Sequence, residues 1–149
     1  MKLLSVNVGV PREIEWKGKL VRTSIFKAPV QGRLQVGKLN LDGDQQSDLS
    51  VHGGIDKAVY AYPSEHYSFW REELPGIDLP RGVFGENFTR EGLLEETVHI
   101  GDRFRVSSAH FVVTQTSNAL LQARHSLQSP GYRKVVPAER SHRVLFCRS

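Results

Sequence analysis

Apolar and polar residues alternate at period two from Lys2 to Val8, and the alternation breaks at Gly9 and Pro11, as expected of a half-buried strand running into a turn. Two more short strands are predicted over residues 20–26 and 32–36, separated by Ala28-Pro29-Val30, and Asp42-Gly43-Asp44 reads as a turn by its glycine and flanking aspartates. Short strands at short spacing suggest a barrel. The clearest helix covers residues 64–73: Ser64 follows Pro63 and can cap it, Tyr67, Trp70 and Leu74 fall at i, i+3 and i+7, and Pro75-Gly76 stops it. Residues 98–100 and 104–106 predict a hairpin about Gly101-Asp102, with residues 110–114 as the next strand. The expected class is mainly β with few helices (α+β), without internal repeats or low-complexity segments.

Composition narrows the reading. At 149 residues and 39% hydrophobic content, the chain suits one globular domain with a single core. The opening segment is too soon polar for a signal peptide, and no later run approaches the roughly 20 apolar residues of a membrane span. A soluble, cytoplasmic protein with no membrane partner is therefore expected.

The net charge of +4 raises nucleic acid as a partner, but the charge is unevenly placed. From Thr116 onward six basic residues (Arg124, Arg133, Lys134, Arg140, Arg143, Arg148) face one acid, Glu139, which leaves 14 basic and 15 acidic residues in the body. A near-neutral body does not read as a nucleic-acid module, so no nucleic-acid partner is expected. A binder acting through the basic tail is the weakest of the functional readings. The single cysteine, Cys147, excludes a disulfide framework and a cysteine zinc site within one chain. His52, His66, His99 and His110 show neither i, i+4 spacing nor close clustering, so zinc is not expected; His66 should lie on the helix face beside Tyr62, and His99 and His110 on strand surfaces.

Two segments carry candidate chemistry. In His52-Gly53-Gly54 the paired glycines let backbone N–H groups approach an anion closely, Lys57 adds a cation three residues on, and His52 can donate, accept or ligate. The plainer reading is a tight turn beside a surface histidine. In Gly85-Glu86-Asn87 a carboxylate and an amide follow a glycine that can take positive φ, which could aim two polar side chains into a barrel mouth; the plainer reading is an Asx-type turn before Phe88. Tyr60, Tyr62, Tyr67, Phe69 and Trp70 read as packing.

Five stretches occur in order: Leu41-Asp42-Gly43-Asp44, Val51-His52-Gly53-Gly54-Ile55-Asp56-Lys57-Ala58, Tyr62-Pro63-Ser64-Glu65-His66-Tyr67, Phe84-Gly85-Glu86-Asn87 and Val98-His99-Ile100-Gly101-Asp102. Together they resemble the MOSC domain, the molybdenum-cofactor sulfurase C-terminal family, in its bacterial YiiM-like branch. The resemblance covers about the first 115 residues. It implies a MOSC-like β-barrel and a cofactor-binding set of Asp44, His52, Gly53, Gly54, Asp56, Lys57, Tyr62, Gly85, Glu86, Asn87 and Gln115. The cofactor implied is molybdenum cofactor (molybdopterin), with pyridoxal phosphate as another phosphate-bearing candidate. The chemistry implied is sulfur carriage on a cysteine, or molybdenum-dependent reduction of N-hydroxylated compounds with a redox partner protein.

The family's cysteine lies in a Q-P-R-x-P-C motif. Here Gln115 matches the first position, and Thr116-Ser117-Asn118-Ala119-Leu120 follows, so Leu120 stands where the thiol belongs. Leucine can neither bind molybdenum nor carry sulfur, so no catalytic residue is assigned. Cys147 lies outside any motif. Back-translating residues 116–127 with chosen synonymous codons and dropping the first base gives P-R-M-P-C-Y-K-L-G-I-R after Gln115, and the same offset through Ser149 can yield a helix-like and then a strand-like stretch. A one-nucleotide insertion near codon 116 is the reading adopted, with residues 1–115 as a MOSC-like body and 116–149 as an aberrant tail. The barrel would then be incomplete at its C-terminal end, leaving a strand edge or apolar face uncovered and the chain prone to instability or association. The other reading is a diverged relative whose tail uses Val135-Val136 and Val144-Leu145-Phe146 as short strands. The competing function, from a different class, is a non-catalytic module binding a small-molecule phosphate or oxoanion ligand such as a pterin or pyridoxal phosphate.

Overall fold

The computed structural model describes residues 1–16, 18–47, 54–94, 97–118 and 143–148. Its strands are β1 (Lys2–Val8), β2 (Arg12–Trp16), β3 (Lys19–Thr23), β4 (Ala28–Pro29), β5 (Val59–Pro63), β6 (Phe88–Glu91), β7 (Arg103–Val106), β8 (Ala109–Asn118) and β9 (Arg143–Arg148); one α-helix, α1 (Glu65–Glu73), and a 3-10 turn, Ile55–Lys57, complete it. The mainly-β class with few helices is what the sequence led us to expect.

Seven strands form one sheet in the order β4-β1-β6-β5-β9-β8-β7, and β2 pairs with β3 as a separate hairpin. Central β5 runs parallel to β6, with Ala61 opposite Phe88, and antiparallel to β9, with Tyr60 opposite Phe146. All five residues of β5 are buried, because its alternate side chains enter two different cores. Tyr60 and Tyr62 pack with Tyr67, Trp70, Leu74, Leu79 and Phe84 beneath α1, whereas Val59 and Ala61 join Leu41, Phe88, Val98, Phe111 and Val113 on the opposite face. On that second face Leu3 of β1 and Phe104 and Val106 of β7 line one apolar cleft with Phe88 and Phe111. The sheet therefore curls, although β4 and β7 do not pair and no closed barrel forms among the described residues.

Several local expectations differ from the structure. The strand predicted over 20–26 ends at Thr23 and is one arm of a hairpin whose other arm, β2, was not anticipated. Residues 32–36 form no strand beyond a single bridge from Val36 to Leu41, and the separator Ala28–Pro29 is itself the short strand on β1. The hairpin is displaced: β7 pairs with β8, not with residues 98–100, and turns at Ser107, which takes φ 56° without being glycine. The reason lies in Asp102, whose carboxylate accepts the His99 N–H at 2.8 Å and folds residues 99–102 into a turn of their own. Helix α1 begins as expected, but the Ser64 side chain makes no capping bond. The Glu65 carboxylate instead accepts the Gly92 N–H at 2.7 Å, joining the helix start to the end of β6.

The tail contributes β9, which lies between β5 and β8 and includes Val144, Leu145 and Phe146. Those are strand residues on the reading of a diverged tail; Val135 and Val136 lie outside the described residues.

Candidate functional site

The residues singled out around Gly85-Glu86-Asn87 meet in a buried polar network. Glu86 is wholly buried, and its carboxylate holds the loop that precedes it: Oε1 accepts the Gly82 N–H at 2.8 Å, the Thr89 hydroxyl at 2.8 Å and the Tyr67 hydroxyl, while Oε2 accepts the Phe84 N–H at 3.2 Å. Four donors around one carboxylate favour its ionised form, yet burial is the larger influence and pushes Glu86 above the ordinary carboxylate range. Burial also raises the Tyr67 hydroxyl, with the neighbouring Glu86 charge adding to it.

Asn87 links three segments. Its Oδ1 accepts the Tyr60 N–H at 3.1 Å, and its Nδ2 donates to Asp44 Oδ2 at 2.8 Å and to the Asn7 carbonyl at 3.3 Å. Asn7, also buried, donates to the Glu86 carbonyl and to Thr89 Oγ1, both at 3.1 Å. Asp44 completes the network: Oδ1 accepts the Gly9 N–H at 2.8 Å and pairs with Lys27 Nζ. The Lys27 side chain is only 8% exposed, and burial lowers its affinity for a proton, with Asp44 acting in the opposite direction.

Close backbone contacts fix the same region. A Cβ on Gly82, at φ 90°, would stand 2.6 Å from the Lys27 carbonyl, and one on Gly85, at φ 81°, 2.9 Å from Ile25 Cγ1. Segment 25–27 thus lies directly on the loop carrying Glu86 and Asn87, and only glycine permits that approach. Both polar side chains turn into the fold instead of toward an open mouth.

The second cluster is the turn Gly54–Lys57. Gly54 takes φ 105°, a Cβ there would meet nothing within 4 Å among the described residues, and its carbonyl accepts the Lys57 N–H at 3.0 Å. Side chains from two other segments hold the turn: Gln46 Nε2 donates to the Lys57 carbonyl at 3.0 Å, and the Thr114 hydroxyl donates to the Asp56 carbonyl at 2.5 Å. Gly54 and Asp56 are exposed and Lys57 half-buried. His52, Gly53 and Leu120 lie outside the described residues.

Tyr62 is placed in the aromatic core, where its hydroxyl accepts the Trp70 Nε1–H at 2.7 Å and its ring meets Phe84 at 4.9 Å. His66 stacks edge-on to it at 5.6 Å, beside Tyr62 as the helix spacing predicts. Gln115 is exposed on β8 at an irregularity in register after Val113. His110 is exposed on β8, whereas His99 lies in the turn before β7 and not on a strand. Among the described residues no group of three or more His, Cys, Asp or Glu could hold a metal ion, and no helix is long and apolar enough to cross a membrane.

Sequence reasoning missed Asn7, Lys27, Gln46, Thr89 and Thr114. Asn7 alone left a signal, as an amide within an apolar alternation that ends at a glycine. The others lie in segments whose pairing is invisible along the chain.

Comparisons with known proteins agree with the motifs. A family model for the MOSC domain matches residues 48–139. YflK of Bacillus subtilis, an uncharacterized protein, is 47% identical over 113 residues, which are 76% of this chain and 51% of that one. A Gibberella moniliformis protein named Reductase is 32% identical over 106 residues, 70% of this chain and 18% of that protein. The crystal structure of YiiM from Geobacillus stearothermophilus superposes with a TM-score of 0.66 at 31% identity, covering 99% of this chain and 66% of that chain. The chain thus spans about half the length of YflK, 51% of it. The match of the family model, with these relatives, shows that the chain belongs to the MOSC domain family.

Proposed function

We propose that this chain is a binding domain for the molybdenum cofactor that has lost the thiol chemistry of its family. The observation carrying this reading is the turn Gly54–Lys57, an exposed glycine backbone beside a lysine, braced by Gln46 and Thr114. The residues present fit a phosphate or oxoanion there: none of the described residues fills the space beside Gly54, and Lys57 supplies positive charge. His52 and Gly53 would complete the cradle, with Gln115 on the adjoining β8, and Asp56 would serve through the backbone that Thr114 braces. Asp44, Glu86 and Asn87 serve it from within the fold, their polar atoms being engaged internally. Gly85 would serve by admitting segment 25–27, and Tyr62 by packing.

When bound, the cofactor would supply redox chemistry at molybdenum, of the kind that reduces N-hydroxylated compounds with electrons from a partner protein. The relative named Reductase is consistent with that direction. With Leu120 at the thiol position, this chain would bind without carrying sulfur or turning substrate over. The body over residues 1–115 and the reading-frame change near codon 116 belong to the same proposal, as does a cytoplasmic setting.

Expression in a host that makes the cofactor, followed by elemental analysis for molybdenum and pterin fluorescence, tests it. Molybdenum and pterin retained by the chain, and lost in Lys57→Ala, would support the reading; neither retained would sink it. Binding of pyridoxal phosphate or a pterin phosphate without molybdenum, also sensitive to Lys57→Ala, would favour the second reading, a non-catalytic phosphate-ligand module. That alternative rests on the same turn.

A further inference from the structure

Lys27 is a buried cation far in sequence from every MOSC-like motif, and its contacts converge on the chain that braces the candidate anion site. Its carbonyl oxygen lies 2.6 Å from where a Cβ on Gly82 would be, so its backbone is packed on the loop of Glu86 and Asn87. Its ammonium group pairs with Asp44 Oδ1, the oxygen that also accepts the Gly9 N–H, while Asp44 Oδ2 accepts from Asn87. Asp44 is therefore held from three directions, and the chain leaving it is held too, since the Gln45 N–H donates to the Gly9 carbonyl at 2.9 Å. The next residue, Gln46, donates to the Lys57 carbonyl. A continuous path of bonds runs from Lys27 through Asp44 and Gln46 to the turn Gly54–Lys57.

We propose that Lys27 is a positioning residue for anion binding at this turn, acting through Asp44 and Gln46 and not by touching the ligand. A buried charge pair is a weak source of net stability but a strong constraint on geometry, because each partner has one low-energy placement. Here the constrained object is the short segment whose third residue orients the Lys57 carbonyl. The proposal rests on the reading of the turn as an anion site.

The test is inorganic phosphate binding by calorimetry, with each variant shown folded by circular dichroism at the temperature used. Lys27→Met and Gln46→Ala should each weaken phosphate binding about tenfold, the lower end of what loss of a supporting partner costs a site. The double variant should be no weaker than either single one, because both changes break one path. Should Lys27→Met fail to fold, Lys27→Met combined with Asp44→Asn, which leaves no buried charge unpaired, carries the test in its place. Wild-type affinity in Gln46→Ala, or additive losses in the double variant, would overturn the proposal. If the unaltered chain does not bind phosphate, or Lys57→Ala leaves its affinity unchanged, the anion reading fails separately. Positioning is then read from the Lys57 amide, whose hydrogen exchange should quicken about tenfold in Gln46→Ala and in Lys27→Met alike. Unchanged exchange would overturn it.

Discussion

Asn87 and Tyr60, 27 residues apart, bond to each other twice: the Asn87 N–H donates to the Tyr60 carbonyl at 2.8 Å, and the Tyr60 N–H donates to Asn87 Oδ1 at 3.1 Å. The side-chain amide stands in for a peptide group just where the parallel ladder of β5 and β6 begins, at Ala61 opposite Phe88. Because the same amide donates to Asp44 and Asn7, truncation strands buried groups on three segments. Asn87→Ala should destabilise the chain by about 3 kcal/mol, the range for leaving buried donors and acceptors unpaired. Urea midpoints measure it, and a change below about 1 kcal/mol would mean that the network rearranges without loss.

Glu86 gives stability a pH slope of definite sign. Burial raises its folded-state value above the ordinary 4.5, so the folded chain binds the proton more tightly than the unfolded chain does. Its contribution is fully present below the ordinary value and is lost as pH rises through the window up to the folded-state value. Glu86→Gln removes the titration, so its unfolding free energy should depend less on pH over that window, even though the new amide faces N–H donors and lowers stability throughout. Parallel slopes for the two chains would contradict this account.

Gly82 and Gly76 separate two costs of a side chain. Both take positive φ, 90° and 79°, but a Cβ at Gly76 meets nothing within 4 Å while one at Gly82 meets the Lys27 carbonyl at 2.6 Å. Gly76→Ala should cost about 1 kcal/mol, the conformational term alone. Gly82→Ala should cost more by about 2 kcal/mol and loosen segment 25–27. Equal losses in thermal unfolding would show that segment 25–27 yields freely.

The reading-frame proposal makes its own prediction. Independent source DNA sequenced over codons 110–125 should lack one base near codon 116, and the chain translated in that frame should carry Q-P-R-M-P-C from Gln115 onward. Restoring that frame should raise molybdenum-dependent reduction above the level measured for the present chain. The same base in every source would leave Leu120 as the natural residue and favour a binding role.

The legibility of these features in the sequence follows from how local their causes are. Strand β1 was plain because Val6 and Val8, which pack on the apolar core, alternate with the polar Ser5 and Asn7, and α1 because Tyr67, Trp70 and Leu74 repeat at helical spacing. Hairpin β2–β3 was not, because Arg12, Glu13, Glu15, Lys19 and Arg22 mask the alternation of Ile14 and Trp16. The motifs located Asp44, Glu86 and Asn87, but nothing along the chain says that those side chains point inward. That depends on Lys27 and Asn7, partners 17 and 80 residues away, and on glycines whose use is to admit segment 25–27.

Strand β5 has a further consequence. Val59 and Ala61 belong to one hydrophobic cluster and Tyr60 and Tyr62 to the other, with a single backbone between them. Neither cluster can be exposed to water without pulling that backbone from its neighbours, so the helix side and the curled side of the sheet should melt as one cooperative unit. Heat or denaturant should then produce a single transition seen alike by the fluorescence of a Trp16→Phe chain, which reports Trp70 on one side, and by amide exchange at Val113 on the other.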